Sequence, residues 1–297
     1  MRFRDIFLPR CIFYYIIYSG CVMKFELIEF LKVFAIGIIE GITEWLPVSS
    51  TGHMLIFDAF VPLGMTAEFK EMFFVVIQLG AILAVVSTFW ERIFPVSVEN
   101  KKIIIDKNKI GMWQKVCVAC IPSALLGLLF DDWLETNFGS PLTIATMLIL
   151  YGVAFIAVEQ RNKNKPPRVF TVACIDFKTA VLIGLFQVLS MVPGTSRSGA
   201  TIVGALLLGV SRMAAAEFTF YLAVPTMLGA GALKLLKFGF GFSKTELLTL
   251  IIGMAVAYAV SMLSIKFLMD YVKRRDFKVF GVYRIILGAV VILLCCI

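Results

Sequence analysis

Charge is what this sequence has least of. Asp, Glu, Lys and Arg make up 16% of its 297 residues against 60% for apolar types, and mean hydropathy is +0.92. Soluble domains are about a quarter charged and under half apolar, so the composition excludes an ordinary soluble fold and indicates an integral membrane protein. Strand-like alternation is also lacking. The apolar residues come in long runs, which excludes a membrane barrel and points to spanning helices. Histidine is reduced to one residue, His53, and the seven cysteines are scattered. Cys117 and Cys120 spell CxxC without a second pair or a nearby histidine, so they read as small residues of an apolar helix, with no metal and no disulfide assigned. The net charge of +8 does not indicate nucleic acid, because the basic residues fall in short loops between apolar runs, as cytoplasmic loops facing anionic lipid do.

At the start of the chain, Arg2, Arg4 and Arg10 precede a short apolar run from Cys11 to Val22 that resembles a signal peptide loosely and has no A-x-A cleavage pattern. Residues 1–22 are expected to be a dispensable extension, with an uncleaved anchor as the alternative, and a single membrane domain is expected over 23–297.

Spanning helices are expected at about 73–90, 112–130, 142–158, 218–236, 247–268 and 281–297, each near the ~20 residues that cross a hydrocarbon core. Two further regions, about 27–60 and 179–210, are apolar at their flanks and broken in the middle by Pro47 and by Pro193-Gly194. A break at membrane depth is tolerated only where its freed backbone faces protein or a watery cavity, so each region reads as a re-entrant helical hairpin. Lys and Arg concentrate in 91–111, 159–178 and 269–280, which places these loops in the cytoplasm. Six crossings satisfy that pattern only if the first hairpin dips in from outside and the second from the cytoplasm.

The two broken regions resemble each other. Gly37, Ser49 and Gly52 align with Gly184, Ser196 and Gly199 at an offset of 147, placing Glu40 on Gln187 and Thr51 on Ser198. Ala67-Glu68-Phe69 matches Ala216-Glu217-Phe218, and Leu79-Gly80-Ala81 matches Leu228-Gly229-Ala230. The expected architecture is therefore an all-α polytopic membrane protein of two inverted repeats, about 24–158 and 179–297, each a re-entrant hairpin plus three transmembrane helices. In such folds the site lies at the repeat interface near the midplane.

Polar groups gather in those two segments. The first reads EGITEWLPVSSTGH from Glu40 to His53, and the second PGTSRSGAT from Pro193 to Thr201. Glu40 and Glu44 are spaced to share one helix face, where two carboxylates repel unless a cation lies between them or one is protonated. Hard oxygen ligands suit Mg²⁺ or Ca²⁺, and Mg²⁺ commonly takes one or two carboxylates plus substrate phosphates. A solvated helix face is the plainer reading of the pair. Arg197 can grip phosphate oxygens in a fork, with Ser196, Ser198 and Thr201 supplying hydroxyls and a helix expected to start near Ser198. Against this, Ser196 and Ser198 can be simple helix caps, and Arg197 a partner for Glu68 or Glu217. His53 can act as nucleophile or as general acid or base, or serve structure alone. Together these groups suggest phosphoryl transfer on a lipid-linked substrate.

At this point the two motifs, with FFVVIQLGAILAVV (73–86) and SRMAAAEFTFYLAVP (211–225), resemble the undecaprenyl-diphosphate phosphatase family, the bacitracin-resistance membrane phosphatases, over about 24–297. The resemblance implies hydrolysis of a C55 isoprenyl diphosphate to the monophosphate carrier used in peptidoglycan assembly. It also implies dependence on a divalent metal, residence in the bacterial plasma membrane with a site open to the outer face, and tolerance to bacitracin. By position, Glu40 and Glu44 would form the acidic metal pair. Ser49, Ser50 and His53 would belong to the catalytic loop, and Ser196, Arg197, Ser198 and Thr201 to the phosphate-binding loop. The expected catalytic set is Glu44, Ser50, His53 and Arg197, with the nucleophile left open between His53, a serine and water. Expected partners are the polyprenyl diphosphate lipid and the membrane, with room for a homodimer and no nucleic acid. A type-2 phosphatidic acid phosphatase needs two histidines, and this chain has one. A lipid-carrier transporter is the rival from another class, since inverted repeats with broken helices also build transporters.

Overall fold

The computed structural model describes residues 22–99 and 102–296. The extension expected over 1–22 lies outside them, Val22 apart. Helix α1 (Val22–Thr43) and α2 (Ser50–Phe60) make the first broken hairpin. Then come α3 (Ala67–Val76) and α4 (Gln78–Thr88), one crossing interrupted at Ile77, and a single turn, α5 (Trp90–Ile93). Long helices α6 (Lys107–Phe138) and α7 (Pro141–Asn162) complete the first part. The second hairpin is α8 (Phe177–Val188) and α9 (Arg197–Leu207), followed by α10 (Arg212–Phe238), α11 (Lys244–Arg274) and α12 (Lys278–Cys296).

Among the described residues six helical segments are long and apolar enough to cross a membrane: 67–88, 107–130, 141–162, 212–238, 244–274 and 278–295. They fall on the six runs expected from sequence, and the chain is a multi-pass membrane protein. Their starts are set by short polar residues that accept the first free backbone N–H groups. Thr66 caps α3, Ser140 caps α7 ahead of Pro141, Asp176 caps α8 and Ser211 caps α10, while Ser243 and Glu246 form a reciprocal capping box on α11.

The all-α class holds, with one short ribbon added to it. Within the 91–111 stretch, read from sequence as a plain loop, Val96–Glu99 (β1) and Lys102–Ile105 (β2) pair antiparallel with Val96 opposite Ile105. Val96, Val98, Ile103, Ile104 and Ile105 are β-branched, which favours strand over loop. Lys102–Ile105 is exposed along its whole length.

Each hairpin is held by a long helix from elsewhere in the chain: α1 lies along α11, and α8 along α6. These approaches are close. A Cβ at Gly41 on α1 would run into Val260 and the Ala257 carbonyl of α11, one at Gly184 on α8 into the main chain of Ala119, and one at Gly80 on α4 into the main chain of Met254, so small residues set the helix spacing. The other large contacts join α7 to α12 and α4 to α11. The main buried cluster surrounds the two breaks and includes Trp45, Val48, Phe155, Ala200, Phe220 and Tyr221.

Candidate active site

The first break is built from the end of α1. The Glu44 N–H still donates to the Glu40 carbonyl at 3.0 Å, so both carboxylates stay on one face, and the chain then turns through Pro47. In the second break Gly194 sits at φ 92, where an added Cβ would collide with the main chain of Ile144. Only glycine tolerates both conditions. Ser49 at φ 76 and Ser196 at φ 70 are the only non-glycine residues with positive φ among the described residues. Each immediately precedes an 11-residue helix, α2 or α9. Backbone held in this sparsely populated region persists only where its surroundings over-determine it, and it concentrates at working sites.

The breaks meet at Glu44. Arg197 Nη2 donates to Glu44 Oε1 at 3.0 Å, Ser50 Oγ to Glu44 Oε2 at 2.5 Å, and Ser198 Oγ to the Glu44 carbonyl at 3.2 Å. The Arg197 side chain is 10% exposed and that of Glu44 6%. Arg197 Nη1 also donates to the Thr219 carbonyl at 3.0 Å, and the guanidinium lies 6.0 Å from the centre of the Trp45 ring. The sequence alternatives of Glu68 and Glu217 as partners are not realised: Glu217 instead meets Arg92 and the Tyr221 hydroxyl.

The flanking hydroxyls divide by direction. Ser196 is the N-cap of α9, accepting from the Gly199 N–H at 3.2 Å, so the cap reading holds for it, and its hydroxyl lies 3.1 Å from that of Ser198. Ser198 is not the cap, because α9 begins one residue earlier, at Arg197. Thr201 is fully buried behind the arginine, donating to the Arg197 carbonyl at 2.9 Å and accepting from the Thr219 hydroxyl at 2.9 Å. Ser49 is buried at the first turn, and its carbonyl lies 2.7 Å from His53 Nδ1.

A carbonyl oxygen only accepts, so His53 Nδ1 carries a proton in that contact. In the neutral ring Nε2 then keeps a lone pair, and the Tyr283 hydroxyl at 2.7 Å is its donor. The two rings stack with centres 5.7 Å apart. His53 thus joins the cluster through Ser49 and faces Tyr283.

Several buried groups close to this junction have no hydrogen-bond partner among the described residues: both carboxylate oxygens of Glu40, Arg197 Nε and Thr195 Oγ1. Buried polar groups are normally satisfied, so each exception calls for an explanation. A fully buried carboxylate beside a second one suits a cation, and the free guanidinium N–H suits an anion. Among the described residues no group of three or more His, Cys, Asp and Glu comes together, which leaves Glu40 and Glu44 as the carboxylates that would hold one. That donor set fits a Mg²⁺-like ion that completes its shell with water and phosphate oxygens.

One residue at the centre was not found from sequence. Arg284 on α12 is 0% exposed, and its Nη1 donates to the Pro47 carbonyl at 3.1 Å, while its Nη2 donates to the carbonyls of Gly194 and Thr195 at 2.9 and 2.8 Å. It ties both breaks to one helix and satisfies carbonyls that the breaks set free. A single arginine inside the apolar run from Val279 to Ile292 was the available signal, since charge at membrane depth marks a site.

The sequence profile of the bacitracin resistance protein BacA family matches residues 33–290. The chain belongs to this family. It is 64% identical to an undecaprenyl-diphosphatase of Enterococcus faecalis over 273 residues, covering 92% of this chain and 99% of that protein. It is also 56% identical to an undecaprenyl-diphosphatase of Desulfitobacterium hafniense, over 90% of this chain and 96% of that one, and 49% identical to one of Streptococcus suis over 90% and 96%. The BacA match covers both breaks and Arg284, so all the residues of the junction lie within it.

Proposed function

We propose that the chain hydrolyses undecaprenyl diphosphate to undecaprenyl phosphate and inorganic phosphate, and so returns a lipid carrier to cell-wall synthesis and confers bacitracin tolerance. The observation that carries this reading is the junction of Arg197, Glu44 and Ser50 between two broken hairpins, with an unpaired Glu40 carboxylate and an unpaired Arg197 N–H beside it. The names of the relatives supply the substrate class.

Arg197 binds the terminal phosphate through its remaining donors, and Ser198 and Ser196 add hydroxyls. Glu44 holds Arg197 in place and is itself held by Ser50. Glu40 and Glu44 would hold a divalent cation, which when bound neutralises charge on the diphosphate oxygens. His53 Nε2 takes a proton from the attacking water as its oxygen bonds to the terminal phosphorus. The bond from that phosphorus to the bridging oxygen breaks, leaving the lipid monophosphate and free phosphate. Tyr283 orients the imidazole through Nε2 and yields that nitrogen to the water. Thr201, Thr219 and Arg284 bind no substrate in this scheme; they fix the backbone that carries Arg197 and the two turns.

The inverted-repeat architecture is part of the same proposal. In support, α1 on α11 has its counterpart in α8 on α6, and the Ser49 and Ser196 turns occupy equivalent positions ahead of helices of equal length. The outer-face opening rests on the basic loops, which lie on the opposite side from the 61–66 connection that follows α2. The same architecture favours the transport reading, and one experiment separates the two. Purified chain in detergent, with Mg²⁺ and no gradient, should release phosphate from undecaprenyl diphosphate. Movement of the lipid between leaflets of vesicles with no phosphate released would overturn the hydrolase reading.

A further inference from the structure

At the other end of α9 from Arg197, about 15 Å along its axis at 1.5 Å per residue, lies a basic cavity of about 470 Å³. Six of its lining residues are basic and one, Glu159, is acidic. Glu159 is already neutralised, since Arg212 Nε and Nη2 both donate to it, at 2.9 and 2.6 Å, and the Phe277 N–H adds a third bond at 3.0 Å. Lys273 is paired with Asp270 at 2.7 Å. Arg161, Lys163, Lys165 and Arg168 have no carboxylate partner among the described residues, which leaves a surplus of four positive charges around one concavity.

The walls are fixed. The N–H groups of Arg168 and Val169 donate to the Gly209 carbonyl at 2.8 and 3.2 Å, the Ser211 N–H returns to Val169 at 2.8 Å, and Asn162 Nδ2 donates to the Leu206 carbonyl at 2.8 Å. Gly209 turns at φ 83 to allow this zipper. The N-terminus of the 27-residue helix α10 opens onto the same space, adding the positive end of its dipole. A second feature adjoins it. An apolar crevice of about 260 Å³ runs between α7 and α9, lined by Ala154, Ala157, Val158 and Val203, and it shares Arg161 and Leu207 with the cavity.

A charged chamber continuous with a hydrocarbon slot matches an amphiphile. We propose that this is a second lipid site, distinct from the Glu44–Arg197 junction, which holds the phosphate head of an anionic lipid among Arg161, Lys163, Lys165 and Arg168 and its chain along Ala154 and Ala157. The positive-inside bias puts it in the cytoplasmic leaflet, where basic pockets between spanning helices take anionic head groups. Free phosphate fills only the chamber. A phospholipid and a prenyl monophosphate fill both parts.

The test is native mass spectrometry of the full chain in neutral detergent. The probes are phosphatidylglycerol, phosphatidylcholine, geranylgeranyl monophosphate and inorganic phosphate, each added separately. The wild type should retain phosphatidylglycerol or the prenyl monophosphate at least about tenfold above phosphatidylcholine, the preferred one identifying the source. The triple variant Arg161→Gln, Lys163→Gln, Arg168→Gln should fall to the phosphatidylcholine level. A matched set outside the cavity, Lys102→Gln, Lys107→Gln, Lys178→Gln, should keep the preference. Ala157→Phe should lower lipid retention and leave inorganic phosphate unchanged. Retention by the first triple variant, equal loss in the second, or lipid retention insensitive to Ala157→Phe would each overturn the proposal.

Discussion

At the residue scale the site depends on groups that satisfy one another across two distant segments. Glu44 and Arg197 are 153 residues apart in sequence and form a buried pair. Removing one partner from such a pair leaves an uncompensated charge, worth about 3–5 kcal/mol. Glu44→Gln is therefore expected to lower thermal stability in detergent as well as turnover, which a melting curve and a phosphate-release assay would show side by side. Arg197→Lys keeps the charge but loses the fork and the contact to both Glu44 and Thr219, so it should lose about 10²–10³-fold in kcat. Activity within twofold of wild type would show that the fork is not used. Glu40 behaves differently, because its carboxylate has no hydrogen-bond partner among the described residues. Glu40→Gln should leave folding intact and raise the Mg²⁺ concentration needed for half-maximal rate, and an unchanged metal dependence would remove Glu40 from the metal pair.

At the scale of elements, the two turns are the vulnerable points. Gly194→Ala forces a Cβ into the Ile144 main chain at a positive φ, so the α8–α9 turn must move, and Arg197 with it. The expected result is a loss of more than about tenfold in turnover, together with lower stability, because strain and a clash act together. Arg284→Met frees the carbonyls of Pro47, Gly194 and Thr195 at once and should lower activity without touching substrate. Glu40, Glu44, His53 and Arg197 were readable as a group because charge is so rare in the chain that their clustering stood out. Arg284 and Tyr283 were not, because they lie in an apolar helix and their partners, the carbonyls of the two breaks and His53, are distant in sequence. The β1–β2 ribbon was hidden for a different reason: its charged neighbours dominate the stretch and mask five β-branched residues.

For the whole molecule, the six spanning helices and two breaks follow directly from hydrophobic run length and from Pro47 and Pro193-Gly194, and the structure has both. What sequence could not supply is how the halves embrace, since that depends on close approaches such as Gly80 to Met254 and Gly184 to Ala119. A bulky residue at either glycine, Gly184→Leu for example, should separate α8 from α6 and reduce the folded yield from membranes, measured by size-exclusion profile. The hydrolase account itself stands or falls on whether both hairpins serve one reaction. The direct measurement is phosphate release from undecaprenyl diphosphate by purified wild type and Arg197→Ala, across a Mg²⁺ titration, with both proteins shown monodisperse. The account predicts metal-dependent release by the wild type and a loss of about 10³-fold in the variant. Equal rates from the two proteins would contradict it.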